Sequence, residues 1–338
     1  MFLFWLRTQT RHAMRKAQRT SKPAGRHATF RPRLEALEDR CVPSTLTVTN
    51  NLDSGPGSLR AEIAAAQAGD TITFSNSTAN GAVNFYDGTL HTITLTSGEL
   101  LVNNSLTVQG AGAGQLAISG GNNSRVFEVA AGVQATLTGL TIRDGNGWPA
   151  ARVADGAGDG GAILNWGTLT LNNSTVSGSS AGGSTGGGIY SAGMLTLGKD
   201  TISGNTAYRA GGIYSSGTAT LTGCTLTNNT ATGGWPTYFL WDTSMAWSYG
   251  AGGGIYNDGT MTVTSCTLSG NTVANGGAGG GGIYNSRKLT VKNSTVSGNS
   301  ALEYGGGIYN DSGAVLTLQS KEVTKNTAFV GADIYLQR

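Results

Sequence analysis

The sequence predicts an all-β protein, a right-handed parallel β-helix in which one chain winds through about ten coils as a single-stranded solenoid. Two observations support this prediction: a regular period, and apolar residues at fixed positions within it. An isoleucine opens each copy of the repeat, and successive isoleucines are 24 to 28 residues apart except for one interval of 42. Such a period is typical of stacked supersecondary units rather than of one globular core. The repeat isoleucines are Ile163, Ile189, Ile213, Ile255, Ile283, Ile308 and Ile334.

Apolar residues recur six, eight and thirteen residues after the isoleucines, as Leu289, Val291 and Val296 do after Ile283. They alternate with threonine in short runs, which is the period of a β-strand. Glycine, serine and asparagine separate the runs, and the 54 glycines suit a chain that turns tightly at every corner. Each coil is therefore expected to contain three short strands that stack about 4.8 Å from those of the next coil.

Charge is low and unevenly distributed, with 12% charged residues and a net charge of +3. Residues 1–44 contain ten Lys or Arg and three Asp or Glu, a balance of +7; the remainder contains 12 and 16, a balance of −4. A nucleic-acid-binding body would need a basic face on the folded part. The mildly acidic repeat region therefore argues against nucleic acid as a partner.

Residues 1–44 are interpreted as a basic export leader that is removed or disordered. The apolar block from Met1 to Leu6 is far too short to cross a membrane, so no transmembrane span is predicted. The stretch from Phe30 to Ser44 closely resembles a leader shared by many exported and surface proteins of certain bacteria. This resemblance implies a secreted or cell-surface location. The alternative is a disordered basic tail on a cytoplasmic protein.

Residues 45–82 are predicted to form an N-terminal cap of strand, helix and strand. Ser58 can cap a short amphipathic helix that starts at Leu59 and places Leu59, Ile63 and Ala66 on one face. Such a helix is expected to cover the open end of the first coil, as solenoids require. The segment resembles the N-terminal part of bacterial surface β-helix proteins, which implies the same capping role.

Residues 83–338 are predicted to form the β-helix itself, with insertions at 143–159 and 232–252. The Gly-Gly-x-Ile element with a downstream asparagine, as in Gly281 to Ile283 and Asn299, resembles the polymorphic outer-membrane protein repeats of bacterial surface proteins. The resemblance implies a surface solenoid, of the same pectate-lyase-like architecture, more directly than any activity. The last coil has no second helix to cover it, and an uncovered edge strand invites pairing with another chain. Self-association through that coil is therefore one expected interaction.

Two polar rows accompany the apolar ones. Asparagines recur sixteen residues after the isoleucines, and stacked amides would satisfy each other and the corner backbone, so a ladder is favoured over a polar ligand track. Tyrosines follow the isoleucines directly and are expected to stack, either to shield a sheet face or to bind sugar rings. The asparagines are Asn205, Asn229, Asn271, Asn299 and Asn326, and the tyrosines are Tyr190, Tyr214, Tyr256, Tyr284, Tyr309 and Tyr335.

Asp258 and Asp311 both lie three residues after their isoleucine, about 9.6 Å apart if each coil adds about 4.8 Å. This approaches the carboxylate separation of an inverting glycosidase. No Lys, Arg or His is expected in register with them, so we interpret both as turn residues. The three histidines include two in the leader, so no metal site, histidine triad or cofactor is predicted.

Cys224 and Cys266 share one position in adjacent coils, eleven residues after the isoleucine. The spacing of neighbouring strands would allow a disulfide between them. The alternative is that both are small residues in a corner row that Ser174 and Ser294 also occupy.

The two insertions both enter just before a Gly-Gly-x-Ile strand, so they should leave the same edge of the solenoid, about 14 Å apart. Aromatic insertions with short corners between them would form a groove for an extended glycan; the alternative is local packing of the longer insertion on a neighbouring face. The predicted ligand-binding residues are Trp148, Arg152, Tyr208, Arg209, Trp235, Tyr238, Trp241, Trp247 and Tyr249.

Two functions follow from these predictions. The first is a secreted or cell-surface structural or adhesive protein that binds polysaccharide or another cell-envelope component in the insertion groove. The second is a polysaccharide lyase or glycoside hydrolase acting in the same groove, which rests on fold analogy. Its candidate catalytic residues are Asp155, Asp159 and Asp242, which are scattered on loops. Binding without catalysis is the favoured reading.

Overall fold

A computed structural model describes residues 42–147, 158–233, 251–275, 279–319 and 322–337. In these residues the chain forms a parallel β-solenoid whose longest sheet has ten strands, which confirms the predicted all-β coil architecture. Each coil contributes one strand to each of three long sheets, because the chain turns a corner after every short strand. We number these sheets in the order in which a coil passes through them after the cap.

Sheet 1 runs the length of the solenoid, and all its strand pairs are parallel and in register. Its first two strands are those predicted for the cap, and the second of them pairs directly with the strand from Leu106. In stacking order the strands are Thr45–Val48, Asp70–Phe74, Leu106–Gln109, Gln134–Thr138, Thr168–Asn172, Met194–Gly198, Thr218–Thr222, Thr260–Thr264, Lys288–Lys292 and Val315–Gln319.

Sheets 2 and 3 have nine strands each and form the other two long faces. Sheet 2 consists of His91–Thr94, Leu116–Ser119, Thr141–Arg143, Thr175–Ser177, Thr201–Ser203, Thr225–Thr227, Thr267–Ser269, Thr295–Ser297 and Glu322–Thr324. Sheet 3 contains the repeat isoleucines and consists of Leu100–Val102, Phe127–Val129, Ile163–Asn165, Ile189–Ser191, Ile213–Ser215, Ile255–Asn257, Ile283–Asn285, Ile308–Asn310 and Ile334–Leu336.

Two short sheets lie between sheets 2 and 3, where the insertions leave the solenoid. One has four strands, Thr206–Ala207, Thr230–Ala231, Thr272–Val273 and Ser300–Ala301, and the other pairs Ala251–Gly252 with Gly279–Gly280.

The core is the stack of inward-facing apolar rows. Ile189, Ile213 and Ile255 pair with each other in register and are fully buried. On sheet 1, Leu197 and Leu221 are also buried, with at most 1% of their surface exposed. Burial of a Leu or Ile side chain contributes about 1.5–3 kcal/mol. The period-2 alternation predicted from the sequence is thus an inside–outside alternation, and the outward threonines are only partly covered.

A short helix, Leu59–Ala65, precedes the second strand of sheet 1, and a 3-10 turn spans Ala79–Gly81. The Ser58 hydroxyl accepts a hydrogen bond from the Ala61 backbone N–H, so Ser58 is the N-cap that the sequence indicates. Leu59 and Ile63 are buried in the core. The function of this helix as a cover for the first coil remains a prediction. In the described part of the chain no helix is both long and apolar enough to cross a membrane.

Candidate functional site

The described residues on either side of the two insertions enter the same edge of the solenoid, between sheets 2 and 3. Within the predicted first insertion the Gly147 N–H donates to the Ser180 carbonyl, and directly after it the Gly160 N–H donates to the Thr185 carbonyl. At the end of the predicted second insertion, Gly252 forms a bridge with Ala210. Both insertions therefore flank the corners at residues 181–184 and 207–210.

Three of the predicted site residues lie in the described part of the chain: Asp159, Tyr208 and Arg209. The other predicted site residues lie outside the described residues, namely Trp148, Arg152, Asp155, Trp235, Tyr238, Trp241, Asp242, Trp247 and Tyr249.

The Asp159 carboxylate forms hydrogen bonds with the corner of the next coil, at Ser184 and Thr185. It accepts hydrogen bonds from the Ser184 hydroxyl, from the Thr185 hydroxyl at 2.7 Å and from the Thr185 backbone N–H at 3.1 Å. The buried Arg125 guanidinium donates to the Asp159 carbonyl at 2.9 and 3.1 Å. With three donors on one oxygen, Asp159 acts as a structural acceptor for the corner rather than as an open acid or base.

Tyr208 and Arg209 form the floor between the insertions. The Tyr208 N–H donates to the Ser184 carbonyl at 2.9 Å, and the Tyr208 carbonyl accepts from the Gly233 N–H at 2.9 Å. The Tyr208 backbone is therefore hydrogen-bonded to the coil on each side. The Arg209 guanidinium lies close enough to the tyrosine row to lower the pKa of Tyr214 and Tyr256, although burial has the larger effect and raises both. The floor is thus half-buried and carries an aromatic ring and a guanidinium, with the Asp159 carboxylate on the neighbouring corner.

The predicted tyrosine stack is present on the outer side of sheet 3. Ring centroids lie 4.6 to 5.1 Å apart from Tyr190 to Tyr309, with interplanar angles of 5° to 26°. Tyr335 continues the stack at 5.1 Å. Tyr256, Tyr284 and Tyr309 are 9% exposed or less, so their faces are covered by one another. The prediction that the rings shield the sheet is confirmed for these coils.

Each tyrosine hydroxyl reaches the side chain that lies three residues after the isoleucine of the next coil. Tyr284 donates to Asp311 at 2.8 Å and Tyr309 to Gln337 at 2.6 Å, and Tyr214 lies 3.4 Å from Asp258. Asp258 and Asp311 are therefore acceptors in a polar lattice along the tyrosine row. No basic residue was expected in register with them, and none is present at that position of the repeat; Arg287, one position further on in the next coil, instead places its Nε 3.4 Å from an Asp258 carboxylate oxygen.

The asparagine row is a continuous buried ladder, as predicted. The Asn205 amide donates to Asn229 at 3.0 Å, Asn229 to Asn271 at 2.9 Å, and Asn271 to Asn299 at 2.9 Å. Asn299 donates to Asn326 at 3.0 Å, and backbone N–H groups of this row bond to the same oxygens. This row therefore satisfies the corner backbone and leaves no polar face for a ligand.

A second inward ladder, two residues after each isoleucine, was not predicted. The Asn257 amide donates to Asn285 at 2.7 Å and Asn285 to Asn310 at 2.6 Å, while Asn165 donates to Ser191 at 2.8 Å. The shared position of these asparagines in the repeat could have indicated it, but serine replaces asparagine in two coils. Both ladders are structural, so the outer surface must supply any binding site.

The corner row between sheets 1 and 2 contains the two cysteines, which are buried free thiols. The Cys224 N–H donates to the Cys266 sulfur at 3.3 Å, and the Cys266 N–H donates to the Ser294 hydroxyl at 3.1 Å. In this structure the cysteines thus take the same position as Ser294 rather than forming a disulfide. Burial raises the pKa of Asp200, one coil before Cys224, to about 6.

A comparison of the sequence with known protein families gives one match. Residues 293–311 match the Chlamydia polymorphic membrane protein repeat, a stretch that includes Asn299 of the ladder and Ile308 of the next coil. No curated protein and no solved structure matches the chain significantly. The matched repeat and the parallel β-solenoid together indicate a surface-exposed β-helix repeat protein of bacterial type.

Proposed function

We propose that this protein is a bacterial surface solenoid that binds polysaccharide along the edge from which the two insertions leave. The observation that supports the proposal is the common edge of the insertion flanks, with only the short corners at 181–184 and 207–210 between them. Three coils separate the insertions, about 14 Å at the spacing of neighbouring strands. That distance suits an extended glycan lying across the floor.

The floor offers the kinds of groups that sugars contact. Tyr208 is half-buried and its backbone is fixed on both sides, so an aromatic side chain is held in this floor. Arg209 adds positive charge next to it. Carbohydrate CH groups pack on aromatic faces, and a guanidinium binds carboxylates or hydroxyls. The insertions themselves supply Trp148, Trp235 and further aromatic residues in sequence.

The test is glycan binding by the wild type and by two variants, Trp235→Ala/Trp241→Ala and Tyr208→Ala. Loss of two aromatic contacts should weaken binding about tenfold or more, since each is worth about 0.5–1.5 kcal/mol beyond the area that it buries. The matched control is Tyr86→Ala, an exposed aromatic residue on another part of the chain. Equal binding by all proteins, or no glycan binding by the wild type, would contradict the proposal.

The second hypothesis, a lyase or hydrolase in the same groove, needs a carboxylate with room for substrate. Asp159 does not favour it, because hydrogen bonds from Ser184 and Thr185 already hold one of its carboxylate oxygens in the corner. Assays for reducing ends or unsaturated products from acidic polysaccharides measure this activity directly. Turnover by the wild type that is abolished in Asp242→Asn would replace the binding proposal with an enzymatic one.

A further inference from the structure

A second groove follows the other edge of sheet 3, at the corner where each coil turns into sheet 1. It is open to solvent, has a volume of about 920 Å³ and extends from the coil of Ser216 to the coil of Gly313. Because this corner and the insertion edge lie on opposite sides of sheet 3, the groove is separate from the insertion groove and its argument does not depend on it.

Bare glycine backbone forms the floor of this groove. A Cβ atom on Gly259 would lie 2.0 Å from the Gly217 carbonyl oxygen, and one on Gly217 would lie 2.0 Å from that of Gly193. No side chain fits at these positions, so no side chain projects from the corner over these consecutive coils. In the next coil Arg287 takes the place of the glycine and closes the floor. We call this site the glycine-floored groove.

Charged side chains gather where the glycines end. The Asp258 carboxylate accepts from the Ser286 hydroxyl at 2.8 Å and lies 3.4 Å from the Arg287 Nε. The Arg287 side chain is still 70% exposed, and Lys288 beside it is exposed on sheet 1. Asp311 lies at the position of Asp258 in the coil after Arg287, so two cations and two carboxylates share this end of the groove. The exposed Arg287 and Lys288 side chains are the groups that can bind an anionic ligand there.

Exposed apolar side chains extend the same row toward the N-terminus. Trp166 occupies the position of Ser216 two coils earlier, about 9.6 Å away at the strand spacing. Its ring is 39% exposed and packs edge-to-face on Tyr190 at 5.6 Å, which fixes its orientation. Met194, in register with Thr168 and Thr218 on sheet 1, is 51% exposed. An aromatic platform and a basic cluster therefore share one track along the solenoid.

We propose that the glycine-floored groove binds a linear acidic oligosaccharide that lies along the solenoid axis. A sugar ring packs on Trp166, and a carboxylate of a uronic acid residue further along the chain is bound by Arg287 and Lys288. The order of the contacts follows from the order of the coils. From the N-terminal side, the ligand meets the exposed Trp166 and Met194 side chains, then the glycine backbone, and then Arg287 and Lys288. Neutral oligosaccharides lack the anionic group and bind more weakly.

The experiment measures the affinity of the full chain for oligogalacturonate and for a neutral cello-oligosaccharide of similar length by titration calorimetry. Arg287→Gln/Lys288→Gln should weaken oligogalacturonate binding about tenfold or more, because two charge-assisted contacts are lost. Trp166→Ala should weaken the binding of both ligands. The control Lys199→Gln/Lys325→Gln removes the same charge from exposed positions outside the groove and should leave affinity unchanged. Circular dichroism establishes that each variant is folded.

A wild type that binds both ligands equally, or an Arg287→Gln/Lys288→Gln variant that binds like its control, would overturn the inference. Trp235→Ala/Trp241→Ala separates the two sites. Oligogalacturonate binding that survives in this variant and is lost with Arg287 and Lys288 supports the glycine-floored groove even if the insertion groove binds nothing. The reverse pattern overturns this inference and leaves the proposed function intact.

Discussion

Replacement of Asn271 by Ala tests whether the asparagine ladder stabilises the solenoid. The Asn271 side chain has no exposure and makes four hydrogen bonds. Its oxygen accepts from the Asn229 N–H at 3.1 Å and from the Asn229 amide at 2.9 Å. Its nitrogen donates to the Leu226 carbonyl and to Asn299, both at 2.9 Å. Alanine would remove all four hydrogen bonds, and their partner groups are too buried to form replacement hydrogen bonds with water.

The expected cost is about 3–5 kcal/mol, because a typical hydrogen bond contributes about 1 kcal/mol and a buried donor left unpaired costs about 1–3 kcal/mol. Denaturant unfolding followed by circular dichroism measures the change, and hydrogen exchange locates it. Protection should fall most at the Asn229 N–H, since neighbouring coils in a solenoid contact mainly each other.

The matched control is Asn103→Ala, an exposed asparagine directly after the strand Leu100–Val102, which should change the free energy of unfolding by less than about 0.5 kcal/mol. If Asn271→Ala is no more destabilising than this control, or if protection of the Asn229 N–H is unchanged, the ladder does not contribute as argued. Such a result would shift the explanation of the stacked coils to apolar packing alone.

Two further predictions concern the tyrosine stack and a buried acid. Tyr284→Phe removes the 2.8 Å bond to Asp311 and should cost about 1–2 kcal/mol, whereas Tyr284→Ala also removes stacking and should cost about 3–5 kcal/mol in urea unfolding. Burial raises the folded-state pKa of Asp200 to about 6, above the unfolded value of about 3.9. The folded protein therefore binds this proton more tightly than the unfolded chain does. As the pH rises from about 4 to about 6, the free energy of unfolding should decrease by at most about 3 kcal/mol, and above about pH 6 it should stay at the lower value. Asp200→Ser, which copies Ser174 in the same row, should flatten this dependence of the denaturant midpoint.

Surface variants provide the comparison for both. Tyr86→Phe alters an exposed tyrosine and Glu303→Gln an exposed carboxylate, and neither should reproduce these effects. Equal costs for Tyr284→Phe and Tyr284→Ala would show that stacking adds nothing to the hydroxyl contact. A pH profile of Asp200→Ser that parallels the wild type would assign the dependence to other groups.

Most of the fold follows from positions counted within the repeat. The isoleucine row, the asparagine ladder and the tyrosine stack each repeat one residue type at one offset, and identical residues at one offset face the same way in stacked coils. The period of Ile283 and the spacing to Asn299 therefore predicted both the core and the corner. The common edge of the insertions followed from the same counting.

The basic end of the glycine-floored groove could not be found in this way. Arg287 lies four residues after its isoleucine, where the four preceding coils of the repeat have glycine, and its side chain reaches back to Asp258 in the preceding coil. A comparison of equal offsets omits such a diagonal contact. The second ladder was missed for a related reason, because Ser191 and Ser215 interrupt the asparagines, although each still faces the same neighbours in register.

The paired ladders also restrict how such a chain can change in length. A deletion of one residue inside a strand would displace Asn271 or Asn285 from its partners above and below, whereas gain or loss of one whole coil would preserve every partner. Only corners outside the ladders can lengthen freely, as where four residues rather than two separate Asn310 from Val315. Duplication and recombination of complete repeats would therefore keep the molecule folded, and new binding surfaces would arise by extension at its corners.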